Sequence, residues 1–219
     1  MIRVQNLSFS YDDHAPVFDR LSFEIERGKI TGLVGRNGSG KSTLFKLLLK
    51  LLSPKSGEIW INNRHILEWS ITDIARNIAW VPSHFSIQLP ITVREVLSFG
   101  RFPFLPLNGK LSEMDIKIIQ EIVEWMHLGP WLKKTFLSLS SGEKQLVLLA
   151  KAFIQKPNFL LLDESVSHLD LEHQQAFSTW IRQKNKEEGL TIFFASHHLS
   201  LLQELCHDIH DFSLLRTSC

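Results

Sequence analysis

The residues best suited to chemistry form a glycine-rich segment that runs from Gly35 to Thr43. Its spacing, G-x-x-x-x-G-K-[S/T], lets backbone N–H groups converge on phosphate oxygens. Lys41 can then reach the β- and γ-phosphates of a nucleotide, and the Ser42 hydroxyl can ligate Mg²⁺. The apolar run Ile30 to Val34 precedes the segment and a helical pattern follows it, which is the context this motif requires. The predicted phosphate-binding residues are Gly35, Arg36, Asn37, Gly38, Ser39, Gly40, Lys41, Ser42 and Thr43.

Two acidic residues end a second apolar run, Phe159 to Asp163, which has the composition of a buried strand. Such a strand places Asp163 at the carboxyl edge of a parallel sheet, where it can hold Mg²⁺ through water. Glu164 beside it can orient or deprotonate an attacking water molecule. A small-molecule kinase shares the phosphate loop, so these residues alone leave hydrolysis and phosphoryl transfer to a small molecule open.

Further segments resemble those of ATP-binding cassette (ABC) ATPases. The run Leu139 to Gln145, LSSGEKQ, is similar to the family's signature motif. The run Ser167 to Asp170, SHLD, resembles its dimer-facing loop, and Ser196 to His198, SHH, resembles its switch-histidine loop. Tyr11 stands where the family stacks an aromatic ring on adenine. The similarity covers essentially the whole chain in the family's order, and kinases lack these segments.

The resemblance implies a composite site, in which two cassettes face each other head to tail. Each ATP would lie between one subunit's phosphate loop and the other's signature helix. Ser140 and Gly142 would offer a hydroxyl and backbone N–H groups to the γ-phosphate. His197 would contact the same phosphate, and Asp170 would order the subunit boundary. ATP would close the homodimer and hydrolysis would release it, with catalysis carried by Lys41, Glu164 and His197.

The pattern of elements predicts an α/β fold for residues 1–219. Antiparallel strands are expected over 2–10 and 21–27, and strands alternating with helices indicate a mostly parallel sheet covered on both faces. A helical insertion of about 45 residues, 92–138, is expected in the middle. The resemblance implies that this fold is the ABC-type P-loop NTPase domain, with an antiparallel N-terminal β-subdomain and an inserted helical subdomain. The other predicted strands are 30–34, 58–61, 78–81, 159–163 and 191–196, and the predicted helices include 42–52, 142–155 and 172–188.

The chain departs from the family pattern at several positions. Ser83 stands where the family has a glutamine that reaches Mg²⁺ and water, so Ser83 is included among the nucleotide-site residues. Serine is too short to span that distance, so a water molecule, His84 or Gln88 would have to serve instead. The remaining departures are Ser141 for a glycine, Ser165 for a proline and Leu146 for an arginine. They predict a competent nucleotide-binding protein whose hydrolysis is slow or altered in its coupling.

One segment favours a branch of the family. Ile91 to Val96, followed by Gly100 to Pro103, is similar to importers of iron-siderophores, haem and vitamin B12, with zinc and manganese importers also close. The adjoining apolar run, Phe102 to Leu107, either docks a membrane permease or packs within the helical subdomain. The expected partners are therefore a second copy, a permease and, indirectly, a substrate-binding protein. This branch commonly has longer chains, and no regulatory extension is expected after Leu215.

Composition limits the remaining alternatives. The 219 residues include 24 Lys and Arg against 23 Asp and Glu, a net charge of +1 that argues against a nucleic-acid partner. The apolar run 44–52 is short and contains Lys46 and Lys50, so no membrane span is expected. Cys206 and Cys219 cannot form a disulfide framework, which favours a reducing compartment. We expect a peripheral protein at the cytoplasmic face of the membrane.

Two other functions stay open at this stage. A soluble ABC protein that acts on ribosomes or DNA would carry two cassettes or a long coiled-coil insertion, and this sequence shows neither. An ATP-dependent dimer switch with slow or no hydrolysis is kept open by Ser83 and Ser141. A metal site at Cys206, His207 and His210 is disfavoured, because a strand through Ile209 would point the two histidines to opposite faces.

Overall fold

The computed structural model describes residues 1–11, 15–83, 85, 89–106, 109–165 and 169–212. The strands in chain order are β1 (Ile2–Phe9), β2 (Phe18–Ile25), β3 (Ile30–Val34), β4 (Ser56–Ile61), β5 (Arg64–His65), β6 (Ile78–Val81), β7 (Phe159–Asp163), β8 (Thr191–Ser196) and β9 (Asp208–Asp211). The α-helices are α1 (Lys41–Leu48), α2 (Ile71–Asn77), α3 (Val93–Ser98), α4 (Glu113–Trp125), α5 (Ser141–Ile154), α6 (Leu171–Glu188) and α7 (Leu199–Leu205). Of the residues discussed above, those outside the described part are His84, Gln88, Leu107, Ser167, His168, Leu215 and Cys219.

The first sheet is antiparallel and has the order β2-β1-β4-β5. β1 lies between β2 and β4. Its Ile2 pairs with Ile25 of β2 on one side and with Ile61 of β4 on the other, and all three residues are buried. This confirms the predicted antiparallel N-terminal sheet. β2 begins at Phe18 rather than at residue 21, because Phe18 already pairs with Phe9.

The second sheet is parallel and has the order β6-β7-β8-β3-β9. All five residues of β7 are buried, as expected for a strand covered on both faces. Because the carboxyl ends of parallel strands share one edge of a sheet, the loops after β3, β7 and β8 lie side by side. These loops carry the phosphate-binding segment, Glu164 and His197.

The described residues of 92–138 contain helices and no strand, as expected. Thr92 is the N-cap of α3 and Ser112 that of α4, and each forms a capping box with an acid, Glu95 or Asp115. Within the described residues of 92–138, the only β-pairing is a single bridge between Thr92 and Thr135. The bounds of the helical subdomain remain a prediction.

The core joins this helical part to the parallel sheet through α5. One face of α5 carries apolar residues, and all four are buried: Leu146, Leu149, Ala150 and Phe153. These side chains lie in one cluster with residues of α3, α4, β6 and β7. α5 is therefore held from both sides.

One helix is shorter than predicted. α1 ends at Leu48, whereas the apolar pattern continued to residue 52. Lys50 adopts a left-handed conformation, φ 57°, and its ammonium donates to the carbonyl of Trp69 at 2.7 Å. The left-handed residue ends the helix, and the Leu51 amide donates back to the Lys46 carbonyl at 2.8 Å.

The histidines near the end of the described chain lie in separate environments. His207 Nδ1 accepts a hydrogen bond from the Ile30 amide at 3.0 Å, whereas the His210 ring lies 6.1 Å from the ring of Phe23. Burial raises the pKa of the Cys206 thiol to about 12, so this thiol stays protonated.

Candidate functional site

The phosphate-binding segment turns sharply between β3 and α1. Gly38 and Gly40 have φ of 75° and 109°, values that favour glycine. A Cβ on Gly40 would lie 2.5 Å from Val17 Cγ1, so this position has no room for a side chain. The sequence did not indicate a role for Val17. This residue directly precedes β2, and its side chain packs against the phosphate loop at Gly40.

Lys41 folds back over this loop. Its Nζ donates to the carbonyl of Gly35 at 2.6 Å and to that of Arg36 at 3.1 Å. The same atom lies 3.0 Å from Oε1 of Glu164, and the Lys41 side chain is only 4% exposed. A buried cation is therefore fixed at the carboxyl edge of the parallel sheet, where a phosphate group would meet it.

Asp163 ends β7 and is 1% exposed. Burial raises the pKa of its carboxyl group and Glu164 adds to this, whereas a hydrogen bond from Ser42 and the charge of Lys41 favour the ionised form. Among the described residues, no donor meets either buried oxygen of Asp163 with good hydrogen-bond geometry. A divalent cation would coordinate these buried oxygens and balance their charge, so Ser42 and Asp163 fit a Mg²⁺ site.

Glu164 lies between Lys41 and His197. Its backbone is left-handed, φ 51°, and its amide donates to the Ala195 carbonyl at 2.9 Å. One carboxylate oxygen pairs with Lys41 and the other is hydrogen-bonded to Nδ1 of His197. The His198 ring lies 3.9 Å from that of His197, a contact that the SHH segment did not reveal. The carboxylate is thus oriented from two directions.

These groups share a cavity of about 940 Å³. The sequence-predicted residues that line it are Tyr11, Asn37, Gly38, Ser39, Gly40, Lys41, Ser42, Thr43, Ser83, Asp163, Glu164 and His197. Gly35 and Arg36 line an adjoining cavity of about 380 Å³, which shares Ser39 and His197 with the first. Neither cavity is lined by Ser140, Gly142 or Asp170.

Tyr11 lies at the rim of the larger cavity. Its hydroxyl is hydrogen-bonded to Oγ1 of Thr43 at 3.0 Å, and the edge of its ring packs against Phe9 with centroids 5.0 Å apart. The side chain is 41% exposed. Its ring is thus held beside the phosphate loop and remains open to an aromatic base.

The remaining predicted site residues cap helices. Ser140 Oγ accepts the Glu143 amide at 3.1 Å at the start of α5, which leaves its hydroxyl proton available to a ligand. Gly142 is buried, with Ser141 on the outer side. Asp170 accepts the His173 amide at 2.9 Å at the start of α6, and this hydrogen bond lowers the pKa of its carboxyl group.

Ser83, which stands at the family's glutamine position, lies in the cavity wall. The residues before it are held by two side chains that the sequence analysis did not assign to the site. Ser165 donates to the carbonyl of Val81 at 3.2 Å, and Gln145 Nε2 donates to that of Pro82 at 3.4 Å.

The fold and this arrangement of lysine, acids and histidine define a P-loop ATPase with an ABC-type cassette. A family model described as ABC transporter matches residues 18–167, more than half of the chain. The chain belongs to this family and is an ABC-type ATPase.

Relatives and solved structures agree with this assignment. The iron(3+)-hydroxamate import ATP-binding protein FhuC of Bacillus subtilis is 34% identical over 206 residues, which cover 94% of this chain and 76% of that protein. The petrobactin import ATP-binding protein FpuC of Bacillus anthracis is 32% identical, over 91% of this chain and 73% of that protein. The structure of cbiO1 from Clostridium perfringens, part of the transporter complex cbiONQ, superposes with a TM-score of 0.80 at 28% identity. It covers 96% of this chain and 83% of that one.

Proposed function

We propose that this chain hydrolyses ATP to power import of an iron-siderophore, haem, cobalamin or metal ion through a separate permease. The observation that carries the proposal is the convergence of Lys41, Asp163, Glu164 and His197 on one cavity beside the phosphate loop. The names of FhuC and FpuC, both import ATP-binding proteins for iron chelates, support this branch. The relatives give no support to the alternative of a dimer switch without hydrolysis.

The side chains divide the reaction between them. Lys41 and the loop amides bind the β- and γ-phosphates of ATP. Ser42 and Asp163 would hold Mg²⁺, which neutralises phosphate charge when bound. Glu164 accepts a proton from the water molecule whose oxygen forms the new bond to the γ-phosphorus, while the bond to the leaving ADP oxygen breaks. His197 orients Glu164 through Nδ1 and directs its other ring nitrogen towards the γ-phosphate.

The signature residues act in a partner copy. Ser140, Gly142 and Asp170 line neither cavity of their own chain, and Ser140 and Asp170 are exposed. In a head-to-tail homodimer, the Ser140 hydroxyl and the start of α5 would meet the phosphate bound at the other subunit's Lys41. This arrangement accounts for signature residues that line neither cavity of their own chain.

A permease would contact the helical part. Phe102 is 55% exposed, whereas its neighbours are fixed: Arg76 donates to the Pro103 carbonyl at 2.8 Å and the Arg101 guanidinium lies 4.0 Å from the Phe104 ring. Pro103 and Phe104 therefore pack on their own domain, whereas Phe102 offers an exposed apolar side chain to a partner. Within the described residues, the helices are all too short or too polar to cross a bilayer. We place the chain at the cytoplasmic face of the membrane, attached through the permease.

Affinity purification of this chain from detergent-solubilised membranes, followed by mass spectrometry, tests the proposal. A Glu164→Gln variant trapped with ATP is compared with a Lys41→Ala variant, which controls for binding that does not depend on nucleotide. The proposal predicts a permease with several membrane spans in the eluate, and the accompanying binding protein identifies the transported molecule. Recovery of this chain alone or with proteins that lack membrane spans would contradict the transporter role.

A further inference from the structure

The residue after the proposed catalytic acid makes a buried contact to the neighbouring strand. Ser165 is 2% exposed, and its hydroxyl donates to the carbonyl of Val81, the last residue of β6, at 3.2 Å. This carbonyl lies at the end of the strand, where the β6–β7 ladder stops at the Val81–Leu162 pair. A proline, which the family pattern has at this position, carries no hydroxyl and could not make this contact.

The contact completes a link across three strands. The amide of Glu164 donates to Ala195 in β8, so the acid itself is tied to one side of β7. The hydroxyl of Ser165 ties the next residue to β6 on the other side. The segment that carries the catalytic carboxylate is therefore held between both neighbouring strands.

The same link leads to Ser83. Val81 and Pro82 directly precede it, and both of their carbonyls are held, one by Ser165 and the other by Gln145 of the signature helix. Ser83 lines the cavity together with Glu164. A serine at this position has a short side chain, so its place in the cavity depends on where the end of β6 is fixed.

We propose that Ser165 is a positioning residue for ATP hydrolysis: through the Val81 carbonyl, it fixes Ser83 relative to Glu164. The inference rests on the role of Glu164 proposed above and takes the Ser83 hydroxyl, in the wall of the same cavity, to hold the water molecule that would replace a longer side chain. The departures from the family pattern at positions 83 and 165 are thus connected. The Ser165 hydroxyl holds the end of β6, and the end of β6 determines where the short side chain of Ser83 lies in the cavity. Misplacement of such a group by a fraction of an ångström lowers the rate of reaction more than the binding of ATP.

Steady-state kinetics on three variants test this role. Ser165→Ala removes the hydroxyl, and we expect kcat to fall about three- to tenfold, the loss typical of one buried hydrogen bond. KM and the directly measured Kd for ATP should stay within about twofold, because Ser165 lines neither of the two cavities beside the phosphate loop. Ser165→Thr keeps the hydroxyl and should restore kcat. Cysteine is close to serine in size but is a poor hydrogen-bond donor, so Ser165→Cys should lower kcat as Ser165→Ala does. It replaces Ser165→Ala in the test if the alanine variant does not fold.

A double-mutant cycle with Ser83→Ala shows whether the effect passes through Ser83. In the Ser83→Ala background, Ser165→Ala should lower kcat by less than about twofold. Equal losses in both backgrounds, or a lowered melting temperature with unchanged kcat, would overturn the positioning role. Glu164→Gln is measured in parallel. If it retains hydrolysis, the proposed assignment of the acid fails, whereas an inactive Glu164→Gln with a fully active Ser165→Ala refutes only this inference.

Discussion

Lys41 and Glu164 form an ion pair inside the cavity, with Nζ and Oε1 3.0 Å apart. The cation that binds phosphate and the acid that activates water are therefore direct neighbours. An arriving γ-phosphate competes with the carboxylate for Lys41 and is repelled by its charge. The position of Glu164 consequently affects nucleotide binding as well as hydrolysis.

A Glu164→Gln variant should separate these two effects. The amide has no charge, so Lys41 becomes free to pair with the phosphate, and the Kd for ATP should fall. Turnover should decrease about 10²- to 10⁴-fold, because the acceptor for the proton of water is lost. ATP titration by calorimetry and phosphate release measure the two quantities. Glu121→Gln, which changes an exposed acid on α4, is the control. Weaker ATP binding in Glu164→Gln would contradict the competition.

Asp163 should make stability depend on pH in a defined direction. Burial raises its pKa in the folded state above the unfolded value of about 3.8. The folded protein then binds more protons than the unfolded one between the two pKa values, so the free energy of unfolding decreases as pH rises through that window. We expect Asp163→Asn to be more stable than the unchanged protein at pH 7 without Mg²⁺, and the difference to shrink as pH falls towards about 4.

Thermal unfolding from pH 4 to 8, with and without Mg²⁺, checks this. Depressed pKa values at helix caps such as Asp170 are common to both proteins and cancel in the difference. Mg²⁺ should raise the melting temperature of the unchanged protein and have little effect on Asp163→Asn. An equal rise in both would place the cation elsewhere.

The Ser140 hydroxyl should matter only in the assembled dimer. Ser140→Ala should leave ATP binding to the single chain intact and abolish ATP-dependent dimerisation in a Glu164→Gln background. The substitution also removes a helix cap, at a cost of about 1 kcal/mol. Ser112→Ala removes the same kind of capping box from α4 and controls for that loss. Light scattering after size exclusion gives the oligomeric state, and a dimer that persists in Ser140→Ala would exclude a signature contact.

Ser83→Gln should strengthen coupling to the permease. The longer side chain can reach the water and cation that serine cannot, so partner-stimulated turnover should rise. The ratio of ATPase rates with and without the permease in proteoliposomes measures the effect. Ser83→Ala, which adds no reach, should not raise this ratio. An unchanged ratio in Ser83→Gln would show that position 83 plays no part in coupling.

The strands and the acids could be predicted because local patterns determine them. Ile30 to Val34 is largely apolar and Phe159 to Leu162 is apolar throughout, and both strands, β3 and β7, have the predicted bounds. The rule that strand ends meet at one sheet edge then places the phosphate loop and Glu164 together. The apolar pattern put the end of α1 too late, because an apolar run does not reveal the left-handed conformation of Lys50 that ends the helix.

Contacts between distant segments could not be predicted in the same way. Ser165 and Val81 are 84 residues apart, and Gln145 and Pro82 are 63 apart. No residue type among them indicates its partner, and only the packing of β6 beside β7 and α5 brings the partners together. The departure at Ser165 was visible in the sequence, but its hydrogen bond was not.

A mixture of two inactive variants tests the composite ATPase site most directly. Lys41→Ala damages the phosphate loop and Ser140→Ala damages the signature helix, so each homodimer has two defective sites. In a head-to-tail mixed dimer, one site combines the intact loop of one chain with the intact signature of the other. We predict that mixing restores up to about a quarter of the unchanged protein's ATPase rate, from random pairing and one working site per mixed dimer. A mixture no more active than its two components would contradict the account.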